Sequence, residues 1–114
     1  MTPVDSGSSR PFSVRAEQDG HVGRLTLEGE FDLLGLDPAR TALGELLAGD
    51  ATAIAIDLSG LSFIDSSGLR FMMEAHRSCV ERGRDLRLIP GGPDVQRVFS
   101  LTGLDAVLPF GAAS

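Results

Sequence analysis

Apolar and polar positions alternate with period two from Phe12 through Val14 and Ala16, which predicts a strand over 12–18. Asp19-Gly20 follows and predicts a tight two-residue hairpin, because both residue types accept positive φ. The return strand over 21–28 sets Leu25 and Leu27 on one face and Arg24, Thr26 and Glu28 on the other. That alternation belongs to a sheet covered on one side at this edge. Gly29-Glu30-Phe31-Asp32 reads as the loop that leaves the strand. The period then lengthens. Ala39, Ala42, Leu43, Leu46 and Leu47 recur at helical spacing, with Asp37 placed as a cap and Pro38 where no N–H is needed. Gly49-Asp50 ends this helix.

Ile54, Ile56 and Leu58 alternate with Ala53, Ala55 and Asp57, so 51–58 reads as a second half-covered strand. A helix over 66–82 has Leu69, Met72, Met73, His76 and Val80 as its predicted core stripe and Gly83 as its stop. A strand over 84–89 is broken by Pro90-Gly91-Gly92-Pro93. A short helix over 94–102 turns Val95, Val98 and Phe99 inward and stops at Gly103, and 106–110 makes a last short strand. The order β-β-α-β-α-β-α-β predicts a single α/β domain. Its mixed sheet has an N-terminal β-hairpin, parallel crossovers after it, and helices packed mainly on one face. The domain spans 12–110, between a polar N-terminal tail over 1–11 and a short C-terminal tail over 111–114.

Composition narrows the function classes. A chain of 114 residues with 42% hydrophobic residues fits one domain with a real core. It holds no apolar stretch of membrane-spanning length, and 1–11 carries no apolar signal-peptide core. A formal charge of -6 argues against a nucleic-acid backbone or an anionic membrane as partner. All 10 basic residues are arginines, which excludes Schiff-base and P-loop lysine chemistry. Cys79 is the single cysteine, so no internal disulfide forms, and a cytoplasmic protein is the simplest reading. The two histidines and one cysteine make no zinc constellation, and no cofactor is implied. His76 reads as a packed core residue and His21 as a turn residue. No Gly-x-Ser-x-Gly surrounds Ser66 or Ser67, which sets a small serine hydrolase behind the other readings.

The chemistry-bearing stretch is Asp65-Ser66-Ser67-Gly68, where the strand side of the chain turns into a helix. Helix starts leave N–H groups unpartnered and carry partial positive charge, and Asp and Ser satisfy them. A plain capped helix is therefore one reading. Three capping residues in a row exceed that need, however, and Gly68 costs about 0.5–1 kcal/mol inside a helix unless something approaches closely. The other reading makes one hydroxyl a modification site, Ser67 or alternatively Ser66. At 100° per residue, Ser67, Phe71, Glu74 and Ser78 share a stripe facing away from the predicted core. On that wheel Phe71 is either a contact residue for a protein partner or a ring tucked under a neighbouring loop.

Gly29-Glu30-Phe31-Asp32, Ala55-Ile56-Asp57-Leu58-Ser59-Gly60, Phe63-Ile64-Asp65-Ser66-Ser67-Gly68-Leu69 and Leu101-Thr102-Gly103-Leu104 together resemble the STAS domain. More closely, they resemble the bacterial anti-sigma factor antagonists. The resemblance implies a regulatory module without catalysis of its own. Its partner would be an anti-sigma factor that is also a serine kinase using ATP. The unmodified antagonist binds that factor and frees a sigma factor. Phosphorylation of the second serine, Ser67 here, releases it, and a serine phosphatase resets it. Asp32 matches the acid after the second strand and Asp65 the acid before the serine pair. The expected contact surface is thus Asp32, Asp65, Ser66, Ser67, Gly68, Phe71 and Glu74. Phe31 stands where the family more often has Leu. The alternative within the family is a STAS module that is never phosphorylated and serves a signalling scaffold or a transport complex.

Overall fold

A computed structural model describes residues 10–111; of the tails expected over 1–11 and 111–114, residues 1–9 and 112–114 lie outside the described residues. Four strands form one sheet in the order β1-β2-β3-β4: β1 (Ser13–Asp19), β2 (Val22–Phe31), β3 (Ala53–Ile64) and β4 (Asp85–Ile89). β1 and β2 are antiparallel, while β2–β3 and β3–β4 are parallel. The helices α1 (Leu36–Ala48) and α2 (Ser66–Glu81) fill the two parallel crossovers, and α3 (Pro93–Thr102) follows β4. The mixed α/β architecture is the expected one.

Register shows why the sheet has two unlike faces. Leu25 pairs with Ile56, and Ile56 with Leu88, which puts these buried side chains in one row. The neighbouring row is Arg24, Ala55 and Arg87. Arg24 lies 3.7 Å from Asp57 on that open side. The buried rows join Leu43, Leu46 and Leu47 of α1, Phe71 and Met72 of α2, and Val95 and Phe99 of α3 in a single cluster. Burying a large aliphatic or aromatic side chain contributes about 1.5–3 kcal/mol, so this shared cluster dominates the fold's stability.

Three expectations are corrected. The hairpin turn is Gly20-His21, not Asp19-Gly20, since Asp19 still pairs with Val22. Only Gly20 takes positive φ there, at 62°, which meets the requirement of a type II′ turn. Secondly, β2 continues through Gly29–Phe31 and β3 through Ser59–Ile64, stretches read from the sequence as loops. Register shifts opposite 26–28 and 29–30 each place an extra residue in β3 and break its simple alternation, while β2 keeps its own through Phe31. Thirdly, 106–110 is not a strand. A 3₁₀ turn over Leu104–Ala106 precedes a single parallel bridge from Phe110 to Leu88.

α2 is also rotated from its predicted phase. Gly68, Phe71, Met72, Ala75 and Cys79 are its buried residues, whereas Val80 is 67% exposed and His76 half-buried. Small Ala75 and Cys79 let the helix lie close to the sheet, with the Phe71 ring filling the space beside them.

Candidate functional site

β2 and β3 lie side by side and parallel, so the turns that leave them open at the same end of the sheet. The Asp65 N–H donates to the Phe31 carbonyl at 3.1 Å, tying the two turns together where they begin. Asp65 is extended (φ -114°, ψ -168°), and its Oδ1 accepts the N–H groups of Ser67 at 2.8 Å and Gly68 at 3.3 Å. This is an N-cap by geometry, and it explains why Asp stands there. The serines are thereby released from capping. Among the described residues, neither the Ser66 nor the Ser67 hydroxyl has a hydrogen-bond partner; Ser66 is exposed and Ser67 half-buried.

Gly68 is buried, and a Cβ there would come within 2.5 Å of the Ile64 Cγ1 and 3.1 Å of the Phe31 ring. Close approach is thus the reason for the glycine, but the approaching groups belong to the chain itself. Its assignment to a contact surface is corrected accordingly. Phe71 is corrected for the same reason: its ring is 0% exposed and stacks at 5.7 Å on Phe31, so it is core. Glu74 holds Arg40 of α1 in a two-pronged pair, with Nε to Oε1 at 2.9 Å and Nη2 to Oε2 at 2.7 Å. The hydrogen bond from Arg40 holds the Glu74 carboxyl below its usual range, against a smaller opposing effect of burial. Its carboxylate ties α1 to α2. Of the expected contact residues, Asp32, Asp65, Ser66 and Ser67 are the ones gathered at the exposed end of the sheet.

The turn after β2 is built like the one after β3. Asp32 is extended (φ -121°, ψ -165°), and its Oδ1 accepts the Leu34 N–H at 3.0 Å. Gly35 is buried two residues after Leu33, with the Phe12 ring 2.8 Å from where its Cβ would be. Between the aspartate and the glycine stand Leu33, 66% exposed, and Leu34, 85% exposed. Phe63, opposite Glu30 in the register, adds a half-exposed ring. Sequence reasoning passed over all three. The available signal was Leu33-Leu34 itself: the pair lies outside both the strand alternation before it and the helical stripe that begins at Ala39. A shallow cavity of about 360 Å³ opens beside Asp32, lined by Phe12, Val14, Glu30, Leu34 and Pro38 among others.

A mixed sheet of this topology, with two capped turns at the end where β2 and β3 leave it, defines the class: a single α/β domain. Similarity to known proteins makes the class specific. A family model described as "Mlab, STAS domain" matches residues 14–109, and the chain belongs to the STAS domain family, among the anti-sigma factor antagonists. The anti-sigma-F factor antagonist RsfB of Mycobacterium tuberculosis is 31% identical over 99 residues, covering 85% of this chain and 80% of that protein. An anti-sigma F factor antagonist of Paenibacillus polymyxa is 27% identical, with 86% of each chain covered. The crystal structure of an anti-sigma factor antagonist from Mycobacterium paratuberculosis superposes with a TM-score of 0.80 at 25% identity, covering 90% of this chain and 87% of that one. No helix among the described residues is long and apolar enough to cross a membrane.

Proposed function

We propose that this domain works by partner switching at the end of the sheet that carries Ser67. Unmodified, it binds an anti-sigma factor with serine kinase activity and so frees a sigma factor. Transfer of a phosphoryl group from ATP to the Ser67 hydroxyl releases it, and a serine phosphatase returns it to the binding form. It performs no catalysis itself.

The observation that carries this reading is the division of labour at the turn. Asp65 alone satisfies the first amides of α2, which leaves the half-buried Ser67 hydroxyl uncommitted and reachable. A phosphate there adds about -1.5 to -2 charges. The helix start would offset this by about 0.3–1 kcal/mol, so the fold tolerates the group. A partner carboxylate at ~6 Å would be repelled by about 3 kcal/mol per unit charge at an effective dielectric near 20, roughly a hundredfold in affinity. The same anion is thus mild for the domain and severe for a complex.

Incubation with a cognate anti-sigma factor kinase and ATP, read by mass spectrometry, tests this directly. One phosphate on the Ser66–Ser67 peptide, absent in Ser67→Ala, is expected. Ser67→Ala should keep its affinity, and Ser67→Asp should lose about tenfold or more. An unmodified peptide after full kinase turnover would favour the phosphorylation-independent family member instead.

A further inference from the structure

The residues just ahead of β1 form a strap across the back of this site. The Glu30 N–H donates to the Arg10 carbonyl at 3.2 Å. The Pro11 carbonyl lies where a side chain on Gly29 would be, and Gly29 takes φ 87° to make room. This brings the Phe12 ring to 4.5 Å from Phe31, centroid to centroid. Phe12 thereby touches both halves of the site. On one side it fills the space against Gly35, which closes the turn carrying Leu33 and Leu34. On the other it backs Phe31, whose ring abuts Gly68 and whose carbonyl receives the Asp65 N–H. Phe31 is buried on all sides and cannot move without taking Gly68 or Asp65 with it. Phe12 is only half-buried and enters from a segment held outside the strand pairing by that one backbone bond. The aromatic ring at position 31 links the strap to α2, its centroid 4.5 Å from that of Phe12 and 5.7 Å from that of Phe71.

We infer that Phe12 is a positioning residue for the docking and phosphorylation site: through Phe31 and Gly35 it sets the two turns that carry Ser67 and Leu34. This deepens the proposed function and rests on it for the choice of partner. It does not rest on it for the geometry. The residue touches no partner. It acts by holding Phe31 against Gly68 and Gly35 against the end of β2.

The test uses the full chain with Phe12→Ala, Phe12→Leu and a control, Phe99→Leu, which loosens the distant Phe99–Phe110 contact. Native-state amide exchange is followed at Leu34, Ser67 and Gly68, alongside Tm and affinity for the anti-sigma factor kinase. Phe12→Ala should speed exchange at those three amides by about tenfold or more, beyond its effect on core strand amides. Phe12→Leu should restore most of the protection. Phe99→Leu should lower Tm and leave the three amides and the affinity in step with global stability. Equal acceleration at all amides in Phe12→Ala, or the same pattern in the control, would overturn the inference. Should Phe12→Ala fail to fold, Phe12→Val decides: acceleration at the three amides no greater than at core strand amides would likewise overturn it. Exchange needs no partner. A wild-type domain that binds no anti-sigma factor kinase would therefore defeat the proposed function and leave this result readable.

Discussion

Asp32-Leu33-Leu34-Gly35 and Asp65-Ser66-Ser67-Gly68 are the same device with different contents. Each follows a parallel strand and begins with an extended aspartate whose Oδ1 takes the N–H two residues on, at 3.0 Å and 2.8 Å. Each ends on a buried glycine pressed against a phenylalanine, Phe12 in one case and Phe31 in the other. What differs is the pair between. Leucines in the first turn give apolar area, and serines in the second give hydroxyls. Fixing the backbone twice in one way lets a fold set an adhesive patch beside a modifiable one, with chemistry chosen separately for each. The turns also differ in stiffness. Gly68 is wedged between two fully or nearly fully buried side chains, Ile64 and Phe31, whereas Gly35 faces the half-buried Phe12.

That difference in stiffness gives the largest expected effect. Gly68→Ala drives a methyl group to 2.5 Å from Ile64, and neither Ile64 nor Phe31 has space to retreat. A loss of about 2–3 kcal/mol is expected, the upper part of the range for overpacking a core. Gly35→Ala meets the edge of a ring that can tilt outward, and about 1 kcal/mol is expected. Denaturant unfolding of both variants measures the gap. Equal losses would mean that the turns are supported equally and that Phe12 is as fixed as Phe31.

The adhesive turn comes next. Leu33→Ser and Leu34→Ser remove exposed apolar area, so Tm should hold or rise slightly. Affinity for the anti-sigma factor should fall by about 1–2 kcal/mol for the double variant, the burial value of apolar side chains discounted for partial contact. Calorimetric titration against the purified factor checks this. Unchanged affinity would confine docking to the serine turn. Capping follows in size. Asp65→Ala exposes two amides at the start of a helix of 16 residues, and about 1 kcal/mol should be lost. Asp32→Ala frees one amide of a 3₁₀ turn of 3 residues, and about half as much is expected. Thermal unfolding of the pair reads the ratio.

Much of this arrangement was legible in the chain. Pro93, Gly83 and Gly103 mark helix ends because glycine and proline act through the backbone, wherever the side chains point. Asp65 identifies a helix start because its carboxylate accepts the first amide N–H groups within its own turn, a contact that depends on no distant part of the chain. Periodicity failed where it was ambiguous or interrupted. Leu69, Phe71, Met72, Met73, Ala75, Cys79 and Val80 cover so wide an arc of α2 that several rotations bury a good stripe. Only the space beneath Phe31 selects the one with Phe71 inside. β3 looked short because its extra residues exchange inward and outward positions partway along, leaving Leu61 and Ile64 buried but Phe63 half-exposed, whereas β2 keeps its alternation through Phe31 and was cut short at Gly29, a residue type that reads as a break. Leu33 and Leu34 belong to neither period. Their meaning depends on which strand lies next to β2, a fact of topology that no local pattern carries.

The smallest effect tests whether the two turns move as one body. Glu74 and Arg40 join the helices that follow the two turns, about two helical turns beyond Ser67 on α2 and about one and a half beyond Gly35 on α1. The folded-state carboxyl of Glu74 is held below its unfolded value, chiefly by the hydrogen bond from Arg40. A depressed folded pKa means that the pair's stabilisation is fully present above the unfolded carboxylate value and is lost as pH falls through the folded one. Glu74→Gln should therefore lie below wild type in Tm at neutral pH, by at most about 3 °C because the pair is partly exposed and screened by solvent. The two curves should converge as the pH drops below the ordinary carboxylate range. Added salt should narrow the neutral-pH gap as well. A gap that persists at low pH would assign the loss to packing of the Glu74 stem instead of its charge. A gap of zero throughout would mean that α1 and α2 are held together by their shared apolar contacts alone, and that the leucine turn and the serine turn owe their common orientation entirely to the aromatic rings beneath them.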